Sequence, residues 1–198
     1  NVNGNANTML YGGLIHEAFG GSNEKGRITG NVAINTDPQG TCTLDVGTIY
    51  GAGKNADIDG DLIVTLGCMP ENKKTDAVYG GAENANVKGN VELTITSGKF
   101  GRVFGGNKTG GKLNGSITVN IEESPTCGIT VVIGELYAGG NKAPYSIYGY
   151  SDAGEMLTSG TPKHSNPVLN VRAFTSIGNI YGGGFGENAV MYGSPTVN

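Results

Sequence analysis

The stretch VYGGAENANVKGNVELTIT, Val78 to Thr96, has three parts. An apolar–aromatic pair, Val78-Tyr79, runs into two glycines. A polar turn follows, then the short piece Val87-Lys88-Gly89. Last comes an alternating segment in which Val91, Leu93 and Ile95 share one face, the period of a half-buried strand. No apolar spacing in it is helical, and each glycine would cost a helix about 1 kcal/mol against alanine.

The same order recurs along the chain. The aromatic of the motif falls at Phe19, Tyr50, Tyr79, Phe104, Tyr137 and Tyr181, at intervals of 31, 29, 25, 33 and 44 residues. The apolar-x-Gly piece returns as Ile28-Thr29-Gly30, Ile58-Asp59-Gly60 and Leu113-Asn114-Gly115. Alternating strands follow at 31–36, 61–66, 90–95, 116–121 and 168–173, and a glycine then reopens the cycle at Gly47, Gly101, Gly134 and Gly178. A period of 25–45 residues marks a repeat array.

Three strands of unequal length in a fixed order do not make hairpins, which need two-residue turns between matched strands. Equivalent strands resemble one another, so the pattern predicts that they lie side by side in parallel. The expected fold is all-β: a single-stranded parallel β-helix, a solenoid of about six rungs spaced ~4.8 Å apart, forming one domain over 1–198. The 36 glycines among 198 residues suit its corners. Asn55 and Asn84 share an offset after the aromatic, which suggests a stacked asparagine ladder. Val2 to Leu10 aligns with Val87 to Ile95, so the chain starts inside a rung. The expectation is a piece of a longer array, or ends that stack on other molecules.

Charged residues make up 15% and the net charge is −4, which does not suit a phosphate backbone, so nucleic acid is not an expected partner. No apolar run reaches the ~20 residues of a membrane span. Cys42, Cys68 and Cys127 lack metal-ligand spacing and read as small buried residues. Cys42 and Cys68 lie close to one rung apart, so a bridge between them is conceivable.

Candidate chemistry is sparse. His16 and His164 stand outside any hydrolase or zinc-protease motif and read as solvated loop or edge residues. Asp57, Asp59 and Asp61 alternate and so face one way, a weak Ca²⁺ candidate or the seat of a lyase. Against that, Lys88 stands opposite Asp59 on the next rung, an ordinary cross-strand pair. No cofactor is expected.

The aromatics form one expected row. The residues before them (Ala18, Ile49, Val78, Val103, Leu136 and Ile180) read as the interior set, which turns the rings outward. The row then serves packing, or offers Tyr50, Tyr79, Phe104, Tyr137 and Tyr181 as a platform for sugar rings. Between the last two aromatics, 143–167 reads as a long loop insertion. It carries Tyr145, Tyr148 and Tyr150 as further ligand-binding candidates, and long loops are often functional.

The pattern x-[I/V]-Y-G-G-G-x-N-A-x-[I/V]-x-G-[N/D]-V-x-[V/L]-x-I resembles the Gly-rich repeats of large adhesin-like bacterial surface proteins and covers nearly the whole chain. The resemblance implies a secreted, extracellular module at the bacterial cell surface, a right-handed coil, and a structural or adhesive role without catalysis. Partners implied are a host or bacterial surface glycan or protein, or the chain's own ends. The alternatives are a carbohydrate-binding module and a polysaccharide lyase or hydrolase fragment.

Overall fold

In a computed structural model, which describes residues 1–38, 42–128 and 131–198, the repeated segments coil as a parallel β-solenoid of about six turns, with no helix among the described residues. Three faces alternate. The first is a seven-stranded sheet of β1 (Ala6–Leu10), β4 (Val32–Thr36), β7 (Leu62–Leu66), β9 (Val91–Ile95), β11 (Ile117–Ile121), β14 (Val168–Val171) and β17 (Thr196–Val197). The second is six-stranded: β2 (Gly13–Phe19), β5 (Leu44–Tyr50), β8 (Thr75–Tyr79), β10 (Gly98–Phe104), β12 (Val131–Tyr137) and β15 (Ser176–Tyr181). The third is built from pairs and single bridges: β3 (Arg27–Ile28) with β6 (Asp57–Ile58), then Val87 and Leu113, and β13 (Tyr145–Ser146) with β16 (Met191–Tyr192).

Register follows the aliphatic stripe. Ile34 pairs with Val64, Val64 with Leu93, Leu93 with Val119 and Val119 with Leu169. All five are buried, and a one-residue slip would turn every one of them to solvent. Ala18, Ile49, Val78, Val103 and Leu136 belong to the same core. Ile180 is 40% exposed instead, because no described strand lies over β15.

The second sheet breaks its own alternation once per turn. In β5, Val46 points inward, Gly47 and Thr48 both lie on the outer side, and Ile49 returns to the core. Every strand of the sheet flips phase at the same place, so the ladder stays one residue opposite one: Ile15 pairs with Val46 and Glu17 with Thr48. The recurring glycine of the repeat sits here: a methyl group on Gly134 would stand 2.6 Å from the carbonyl oxygen of Gly101.

Polar ladders run along the coil, but not where the Asn55/Asn84 offset placed them. That pair is a single long bond (3.4 Å). The strong ladder sits at the corner before the first sheet. Asn5 Oδ1 accepts the N–H of Asn31 (2.9 Å), Asn31 Oδ1 that of Asp61 (3.0 Å), Asp61 Oδ1 that of Asn90 (2.7 Å), and Asn90 Oδ1 that of Ser116 (2.8 Å). A strand cannot satisfy these amides where the chain turns, and side-chain oxygens take them over.

The cysteines differ from expectation. Cys42 is exposed and free, and Cys68 is bonded to Cys127, not to Cys42. Loop length explains the choice. Two residues separate β9 from β10, while the connections β7–β8 and β11–β12 are long and meet over the short one. The bridge closes a separation of 59 residues, worth about 4 kcal/mol in the chain-entropy treatment. We expect Cys127→Ser to lower unfolding stability by about that amount in a urea titration. A change under ~1 kcal/mol would mean that the cross-link adds nothing to the coil.

Candidate functional site

The six aromatics form one uninterrupted stack. Ring centroids lie 4.4 Å apart for Phe19–Tyr50, then 5.1, 5.0, 4.8 and 4.7 Å up to Tyr181, with planes within 12° of parallel. The rings form a cluster separate from the aliphatic core, so the outward turn expected of them is correct. Their exposure is not: Tyr50, Tyr79, Phe104 and Tyr137 are buried, and only Tyr181 is substantially open, at 42%. Two things cover them. Each inner ring has both faces occupied by its neighbours. Side chains four residues later (Glu83, Lys108, Asn141 and Phe185) fold over the ring edges. A sugar packs on a ring face, and these four rings have none to offer.

The hydroxyl of Tyr50 anchors a polar network across four turns. Lys108 Nζ donates to it (2.6 Å) and to Glu83 Oε1 (3.1 Å), and the hydroxyl donates to Glu17 Oε1 (3.1 Å). Burial pushes the Tyr50 hydroxyl up to about 12, although Lys108 pulls the other way. Burial alone would lower Lys108; its bonds to Tyr50 and Glu83 outweigh that and hold it charged, above its ordinary value. Tyr137 is likewise pushed up to about 12 by burial, helped by its bond to Glu135 Oε2 (3.1 Å). Neutral tyrosines and a charged ammonium here tie one turn of the coil to the next.

The aspartates are engaged in the same way. Asp59 lies between Arg27 (3.2 Å) and Lys88 (2.9 Å), the pair expected across the turn. Asp57 accepts the N–H of Asn86 (3.0 Å), and Asp61 sits in the corner ladder. Among the described residues no group of His, Cys, Asp or Glu is arranged to hold a metal ion, and the three carboxylates face cations and amides.

The insertion is tighter than 143–167. Tyr145, Ser146 and Ile147 complete a regular third face, with Tyr145 paired to Met191. The excursion proper begins at Tyr148 and is drawn shut at its base, where Ile147 O accepts the N–H groups of Lys163 (2.8 Å) and His164 (3.0 Å). Tyr145 is buried and its hydroxyl donates to Gly115 O (2.9 Å). Tyr148 and Tyr150 are half-buried, the latter under the Lys112 ammonium at 5.4 Å from its ring centroid. His164 is half-buried rather than solvated, with Nε2 2.8 Å from Asn114 Oδ1; burial and then Lys163 lower its pKa. His16 is exposed, as expected. The insertion therefore spends most of its aromatic and basic groups on its own attachment.

Sequence reading passed over one place. Where β11 and β14 leave the first sheet, a groove of about 380 Å³ opens beside the disulfide, lined by Glu122, Glu123, Ser124, Cys127, Val131, Arg172 and Phe174. Phe174 is 47% exposed. No glycine pair follows it, so the repeat gave no reason to single it out. Comparison of the chain with protein-family models, with curated proteins and with solved structures returned no match.

Proposed function

We propose that the chain is a structural, adhesive module of a secreted bacterial surface protein: a stretch of stiff β-solenoid that carries side chains outward in rows and performs no catalysis. The observation that carries this reading is the Cys68–Cys127 cross-link over the coil. A bridge between two surface loops persists in an oxidising, extracellular setting and is rare in a reducing cytosol. The polar groups also fit it. Corner asparagines, the aspartates and the Tyr50–Lys108–Glu83 network all tie one turn to the next, which serves rigidity rather than turnover. A lyase centred on Asp57, Asp59 and Asp61 would need carboxylates free to meet a substrate, and these are paired.

Two measurements test the reading. Protein isolated from its native source and alkylated without reductant should take one label, on Cys42. Three labels would place it in a reducing compartment and overturn the extracellular assignment. Beads coated with the disulfide-intact chain should be retained under flow on mucin or epithelial cells more than beads coated with heat-unfolded chain. Equal retention would remove the adhesive role.

A further inference from the structure

We infer that the groove beside the disulfide is a carbohydrate-binding site, selective for sugar units without negative charge. Phe174 supplies the first observation. It is a large aromatic, 47% exposed, and makes no ring contact with any described residue, unlike the six aromatics of the stack. An exposed ring at the wall of a concavity is an amphipathic surface without an occupant. The volume, about 380 Å³, lies within the roughly 300–1,000 Å³ of small-molecule sites.

The polar groups converge on the same space. Arg172 Nη1 pairs with Glu122 Oε1 (2.8 Å), which aims the guanidinium and leaves further N–H groups to donate. Glu123 is exposed and has no hydrogen-bond or ion-pair partner among the described residues. Ser124 Oγ accepts the N–H of Cys127 (2.9 Å) and so shapes the turn. The disulfide ties that turn to Cys68 two turns away, which holds this wall in place before any ligand arrives.

A sugar ring has an apolar C–H face and a rim of hydroxyls. Phe174 and Val131 suit the face, while the carboxylates and guanidinium suit the rim. Two carboxylates against one guanidinium leave the groove net negative, which repels uronic and sialic acids. The four buried rings of the stack, by contrast, have no free face to give. The inference is independent of the adhesive reading, since a purely structural rod would carry the same groove.

The test is calorimetric titration of the disulfide-intact chain, after array screening, with neutral tetrasaccharides, a glucosamine tetrasaccharide and a galacturonate tetrasaccharide. Binding of a neutral or amino sugar and none of the galacturonate is expected. Phe174→Ala and Arg172→Ala should each weaken it by about tenfold or more, as losses of an aromatic or arginine anchor do. Tyr181→Ala, at an exposed aromatic outside the groove, should leave it unchanged. Phe174 is half-exposed, so its variant should melt with the wild type; should it not, Arg172→Ala decides. No binding to any probe, preference for galacturonate, or full affinity in both variants overturns the proposal.

Discussion

Gly89→Ala should lose about 3 kcal/mol or more of unfolding stability, the cost of forcing a methyl group into closed packing. The corner before the first sheet stacks Gly30, Gly60, Gly89 and Gly115. A Cβ on Gly89 would overlap the carbonyl group of Gly60 and the amide nitrogen of Asp61, all of it backbone. Backbone cannot rotate away as a side chain can. The turn below is also pinned: Asp61 Oδ1 holds the N–H of Asn90 at 2.7 Å, and moving one turn breaks the ladder through the next. Gly183→Ala is the control, since nothing lies within 4 Å of its added methyl. It should change stability by less than ~0.5 kcal/mol, as open surface positions do. Equal urea midpoints for the two variants would mean that the corner is not close-packed.

The second large effect is alkaline. Tyr50 and Tyr137 are held protonated to about 12, against an ordinary value near 10. Between those values the unfolded chain has released these protons while the folded chain keeps them. The folded state then binds more protons, so stability falls as pH rises. It is fully present below pH ~10 and lost by about 12, roughly 2–3 kcal/mol for each tyrosine. Burial pushes Tyr145 and Tyr150 up as well. Together these approach the 5–15 kcal/mol that hold a domain folded. The expected result is cooperative unfolding above pH 10, with tyrosinate absorbance and loss of the β circular-dichroism signal rising together. Tyrosines that all titrate near 10 in a chain that stays folded would show the stack to be open to water.

These effects depend on features that were not equally legible. The corner glycines are visible in the apolar-x-Gly repeat, and so is the fact that they recur at one place in each turn. The glycine at the phase flip was visible as the start of each cycle, but the flip was not: a change of phase inside a strand leaves no mark in the alternation of one segment read alone. The corner ladder was misplaced because it runs through Asn5, Asn31, Asp61 and Asn90, where an aspartate interrupts the asparagines and none of the four keeps the Asn55/Asn84 offset after the aromatic. The groove was invisible because it is walled by two connections, the irregular parts of their turns.

By itself the sequence determined that this chain coils, that its strands run parallel, and which aliphatic and aromatic residues stack in register. Those are consequences of a two-residue period repeated at intervals of one turn, and each turn carries its own copy of the instruction. Only the tertiary structure decided that the aromatic row is roofed, that Cys68 bonds to Cys127, and that Arg172, Glu123 and Phe174 face one groove. Each of those depends on side chains or loops contributed by different turns, whose lengths vary, and their meeting is settled in space after the coil has formed.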